Sequence, residues 1–151
     1  MGQSLAQVYL HVVFSTKDRR PFLQKELAQK DLQGDLAGTC RNLESPSIRV
    51  GGVEDHVHIL CQLSKTLSVA NLVRELKRES SKWLKEQDGV TSRFQWQQGY
   101  GAFSVSPSHV EGLCDYIRNQ KEHHRRESFP DELRRLFRKY EIEFDERYVW
   151  D

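Results

Sequence analysis

His56-Val57-His58 lies within the run from Glu54 to Leu63. That run is apolar and partly β-branched, and it reads as a strand. Successive strand side chains leave opposite faces. Val57, Ile59, Cys61 and Leu63 would therefore share the buried face, and His56, His58, Leu60 and Gln62 the other. Two imidazoles side by side can chelate one metal ion, although two surface histidines would look the same. A second group of residues follows at Tyr116-Ile117-Arg118-Asn119-Gln120-Lys121-Glu122-His123-His124. On a helix, Tyr116 and Gln120 are i and i+4 neighbours and share a face. A phenol, an amide and further histidines then form one polar stripe. His123 and His124 suit contacts around such a site and suit solvent equally well.

Several elements must position these groups. Val8 to Ser15 is β-branched and aromatic, a first strand. Its His11 would lie near the histidine face if the two strands are neighbours, but reads first as an ordinary polar neighbour. Phe22 to Asn42 has Leu23, Leu27, Leu32, Leu36 and Cys40 at near-helical spacing, and Ser45-Pro46 ends it. Ile48 to Val53 is a second strand that forms a hairpin with the histidine strand. Ser68 caps a second helix with Val69, Leu72, Val73, Leu76 and Leu84 as its apolar stripe. Asp88-Gly89 is a turn. A last strand falls within Phe94 to Ser106, strongest over Ala102 to Ser106. Ser108 and Glu111 form a capping box for the tyrosine helix, where Gly112 leaves room beside the phenol and suggests a close approach. After Ser128-Phe129-Pro130 comes a short helix with basic and acidic residues, then an aromatic tail.

The order is β-α-β-β-α-β with an added C-terminal helix carrying the tyrosine. This predicts an α+β, ferredoxin-like (RRM-like) sheet with two helices on one face, the added helix covering the other. Residues 1–127 would form the domain, with a helix and tail at 128–151 packed on it.

Composition excludes several classes. The 151 residues suffice for one ordinary core. No apolar run approaches membrane length and no leader is evident. Cys40, Cys61 and Cys114 lack metal-type spacing and read as thiols in a reducing, cytoplasmic compartment. The net charge of +1 excludes a uniformly basic nucleic-acid binder. Basic residues cluster locally instead: Lys17 and Arg19 after the first strand, Arg74 and Arg78 on the second helix, Arg118 beside the tyrosine. These are candidate phosphate contacts on DNA, and each also suits a solvated surface.

His56-Val57-His58, Tyr116 with Gln120, and Trp96 to Ser104 (Trp-Gln-Gln-Gly-Tyr-Gly-Ala-Phe-Ser) together resemble the TnpA-type single-tyrosine HUH transposases of small bacterial insertion sequences, the IS200-like group. The resemblance runs from Tyr9 to Trp150. It implies a metal-dependent single-stranded DNA endonuclease and strand-transferase. His56, His58 and Gln120 would hold Mg2+ or Mn2+, and Tyr116 would be the nucleophile, forming a 5′-phosphotyrosine link and a free 3′-OH. It also implies a homodimer that recognises DNA hairpins, with the tyrosine helix of one subunit completing the partner's site. The chemistry is coherent. A phenol with a pKa near 10 needs activation, and a metal polarises the phosphate. The covalent link conserves the phosphodiester energy, so no nucleotide cofactor is required. Three alternatives stand beside this: a replication-initiator-type HUH nickase, a non-catalytic ferredoxin-like nucleic-acid-binding module, and a domesticated transposase.

Overall fold

The computed structural model describes residues 2–87 and 92–151, so the Asp88-Gly89 turn lies outside the described residues. Four strands form one antiparallel sheet in the order β2-β3-β1-β4: β1 Tyr9–Ser15, β2 Ser47–Gly52, β3 His56–Gln62 and β4 Gly101–Val105. Helices α1 (Glu26–Asn42) and α2 (Val69–Lys85) complete the expected β-α-β-β-α-β order. Three further helices follow: α3 (Val110–Arg118), α4 (Gln120–His124) and α5 (Phe129–Lys139).

The central strands alternate as expected. Leu10, Val12 and Phe14 of β1 join Val57, Ile59 and Cys61 of β3 in a core shared with α1 and α2. On the opposite face Val13 pairs with His58 and Ser15 with His56. A one-residue slip in this register would put the histidines into the α1–α2 core. That opposite face is also buried. Val13 and Phe103 pack with Phe129, Leu133, Leu136 and Phe137 of α5, and Leu60 and Val105 pack with Ile117 of α3. The base-stacking surface of an RNA-binding ferredoxin-like module needs an open sheet face. Here α3 and α5 cover it, which counts against the non-catalytic module.

Several local expectations are corrected. α1 starts at Glu26 rather than Phe22, and Leu27 is 71% exposed. Gln29, two residues on and so about 200° around the helix, takes the inward position and donates to the Leu23 carbonyl at 2.6 Å. The Ser108–Glu111 capping box does not form. Pro107 opens a 3-10 turn over Pro107–His109, and that turn leads into α3 without a side-chain cap. Residues 94–100 are not strand apart from a bridge between Trp96 and Thr16. The Ser68 cap does form, accepting from the Asn71 amide at 3.1 Å.

α5 is amphipathic in the ordinary i, i+3, i+4, i+7 sense. Its buried positions are Phe129, Glu132, Leu133, Leu136 and Phe137. One of these is a carboxylate, and it lies over the histidines.

Candidate active site

The two strand histidines are fully buried beneath α4 and α5. Their Nε2 atoms converge on one carboxylate oxygen. Glu132 Oε1 is 3.1 Å from His58 Nε2, 3.5 Å from His56 Nε2 and 3.4 Å from His124 Nε2. Gln120 Oε1 lies 3.3 Å from His56 Nε2 and 3.0 Å from His124 Nε2. Among the described residues, His56, His58, His124 and Glu132 each bring a donor atom within 4.8 Å of the others. Three imidazoles and a carboxylate, with an amide oxygen beside them, are a fitting donor set for a divalent ion.

The outer contacts orient these groups. His56 Nδ1 hydrogen-bonds Asp55 Oδ1 at 2.7 Å, the carboxylate–imidazole pairing usual behind a metal ligand. His58 Nε2–H donates to Glu132, so its Nδ1 must accept, and His11 Nε2 lies 2.8 Å from it. His11, one strand away, is thus placed behind His58.

Tyr116 enters from α3. Its hydroxyl donates to Glu132 Oε2, and the Arg135 guanidinium donates to the phenolic oxygen at 2.8 Å. The ring lies 4.4 Å from the His123 ring and 6.0 Å from that of His58, centroid to centroid. The helix is broken at Asn119, yet Gln120 still turns under Tyr116, its amide donating to the Tyr116 carbonyl at 3.4 Å. Within the one chain these contacts bring the phenol to the histidines.

The electrostatics follow from burial and pairing. Burial alone would lower the His56 pKa, but hydrogen bonds to Asp55 and Glu132 outweigh it and hold it at about 9. His58 is lowered by burial, which outweighs its bond to Glu132. His11 is lowered well below 6.5 by burial and then by the nearby His58 charge. Glu132 would be raised by burial, yet its bonds to His124, His56 and His58 hold it far below the carboxylate range. Tyr116 is raised by burial and by the Glu132 charge, with Arg135 opposing.

These shifts predict a stability profile for the protein in EDTA. The His56 contribution is fully present below its unfolded pKa of 6.5 and is lost as pH rises through about 9. His58 and His11 have depressed pKa values, so the unfolded chain binds more protons below 6.5 and stability falls with pH there. Urea midpoints measured across this range should peak near neutral or slightly acid pH and decline toward pH 9. A profile flat above 6.5 would rule out the His56–Glu132 ion pair.

The residues expected to contact DNA do not form one patch. Lys17 and Arg78 line a groove of about 520 Å3 with Lys77 and Trp96. Arg74 is exposed beside Glu75, and Arg19 lies over the Trp150 ring at 5.9 Å. Arg118 pairs with Asp115 at 2.7 Å and lines a separate cleft with Gly51 and Gln120. Gly112 makes no close approach, for a Cβ there would meet nothing within 4 Å; the room beside the phenol is real. Glu132 and Arg135 were not singled out from sequence. One signal for Glu132 existed: it falls on the apolar face of an otherwise regular amphipathic helix.

A family model described as "Transposase IS200 like" matches residues 4–120. Two curated proteins, each a transposase for insertion sequence element IS200, come from Salmonella typhimurium strain LT2 and Salmonella typhi. Each is 30% identical over 120 residues, covering 74% of this chain and 76% of the relative. A putative transposase from Deinococcus radiodurans R1 superposes with a TM-score of 0.58 at 23% identity, over 80% of this chain and 96% of that one. A REP-associated tyrosine transposase bound to a REP hairpin has a TM-score of 0.58 at 15% identity, over 82% and 74%. At these identities the structural likeness speaks for the fold. His124, Glu132 and Arg135 lie beyond the span of the family match.

Proposed function

Because the chain belongs to the IS200-like transposases and shares their DNA transposase activity, we propose that it cuts and rejoins single-stranded DNA through Tyr116. The observation that carries this reading is that Tyr116 and the two strand histidines meet on one carboxylate, Glu132. His56, His58 and Gln120 are the proposed metal ligands, with His124 and Glu132 added to them. A divalent ion, Mg2+ or Mn2+, would supply polarisation of the phosphate oxygens. The imidazole-rich donors suit Mn2+ better.

The chain's own groups do the rest. The phenolic oxygen attacks phosphorus, the P–O3′ bond breaks, and the leaving oxygen takes a proton from water to become a 3′-OH. Burial and the Glu132 charge disfavour a free phenolate. The hydrogen bond to Glu132 Oε2 orients the hydroxyl, its proton passes to water as the new bond forms and so balances the one taken by the 3′ oxygen, and Arg135 steadies the charge left on oxygen. Rejoining reverses these steps with another 3′-OH. Residues 128–151 belong to the same catalytic unit in this reading, since α5 supplies Glu132 and Arg135.

DNA hairpins are the proposed recognition element, supported by the structural neighbour that binds one. Lys17, Arg19, Arg74, Arg78 and Arg118 are proposed backbone contacts. A homodimer is proposed with each chain's Tyr116 serving its own histidines. A cytoplasmic location is proposed as well, supported by three cysteines without disulfides. Among the described residues no helix is long and apolar enough to cross a membrane.

The test is direct. Labelled single-stranded oligonucleotides carrying a hairpin, incubated with protein and Mn2+, should yield a covalent protein–DNA adduct that resists denaturation. EDTA should abolish it. Adduct formation undiminished in EDTA would defeat the metal-dependent reading.

A further inference from the structure

A cavity of about 580 Å3 opens between β4, α3 and α5, with Tyr116 in its wall. We propose that this cavity is the subsite for the nucleotide that stays joined to Tyr116, so that the protein itself reads that base. The inference rests on the single-stranded DNA cleavage proposed above.

Four observations support it. The first is position. Cleavage ties a 5′-phosphate to the phenolic oxygen, so the attached nucleotide must lie within one sugar-phosphate length of the wall that Tyr116 forms. The second is size, since 580 Å3 falls in the range of roughly 300–1,000 Å3 typical of small-ligand sites. The third is charge. Arg135 and Lys139 line the cavity, and among the described residues no carboxylate side chain does. A phosphodiester is thereby accommodated and an acidic ligand is not opposed. Tyr140, half-buried in the wall, adds polar and aromatic surface suited to a base.

The fourth is Gly112. It lies inside α3, where glycine costs about 1 kcal/mol relative to alanine. Nothing in the fold asks for it: a Cβ there meets no atom within 4 Å, and its backbone is not left-handed. What the glycine does is keep one wall of the cavity bare. A stability cost without a packing reason is the pattern expected where a ligand must enter.

Gly112 also provides the test, because a Cβ placed there enters the cavity without striking the protein. A pool of random-sequence single-stranded oligonucleotides is incubated with the wild-type chain and Mn2+, and both the tyrosine-linked strands and the released 3′ ends are sequenced. Wild type should show a base preference at the first nucleotide of the linked strand. Gly112→Leu should keep or raise the melting temperature, lower adduct yield about tenfold, the worth of one base stack, and flatten that preference. Gly112→Ala should retain most of the yield. Lys139→Glu, at an exposed position, should lower the yield and supplies the answer should the leucine variant not fold.

Wild-type yield and preference in Gly112→Leu, or in Lys139→Glu where the leucine variant does not fold, would overturn the subsite. So would a change confined to the released 3′ ends. Absence of any adduct from the wild type would instead strike the cleavage reading on which the subsite depends.

Discussion

Tyr116→Phe is expected to lower covalent adduct formation by at least about a thousandfold, since it removes the hydroxyl that meets Glu132 beside the histidines. The substitution removes one oxygen and leaves the ring against His123 and Arg135. Glu132 keeps its three imidazole partners. Folding and hairpin binding should therefore survive, and gel shift with circular dichroism will show whether they do. A phenylalanine variant that still forms the adduct would remove Tyr116 from the mechanism. The same variant decides how the dimer is built. Co-expressed with a His56→Ala, His58→Ala double variant, it should recover no activity, because every chain then carries one defect in a site assembled from its own residues. Recovery in verified mixed dimers would show that the tyrosine crosses to the partner, as the resemblance alone suggested.

Glu132→Ala should have the second large effect, and on two separate readouts. Three imidazole Nε2 atoms would lose their common acceptor in a fully buried site. Removing one partner of a buried ion pair typically costs about 3–5 kcal/mol, so the variant in EDTA should unfold at markedly lower urea. Its Mn2+ affinity, read by calorimetry, should fall as well. Glu132→Gln separates the two roles: it keeps a hydrogen-bond acceptor beside the histidines but removes the charge. It should recover part of the stability and little of the metal affinity. An alanine variant that binds Mn2+ as tightly as wild type would show that the carboxylate merely stands between the histidines and is no ligand.

The alternation of β3 determined that His56 and His58 share a face, because the two-residue period of a strand admits no other arrangement. The order of elements predicted the α+β sheet, and its four strands pair as expected. The i, i+4 spacing likewise placed Gln120 with Tyr116, even though the helix breaks at Asn119. What lay beyond reading was whatever depends on how α5 returns across the sheet. Periodicity describes which side of α5 is apolar, but it carries no information on what that side meets. Glu132 in the first turn of α5 looks like an acid favoured at a helix N-terminus. Only the packing of Phe129, Leu133 and Phe137 over Val13 and Phe103 brings its carboxylate onto the histidines and the phenol. For the same reason the basic residues could be listed from sequence but not joined into surfaces. Lys17 and Arg78 share a groove while Arg118 lies on another, because loops and helices distant in the chain are set side by side only when the two faces of the sheet are covered.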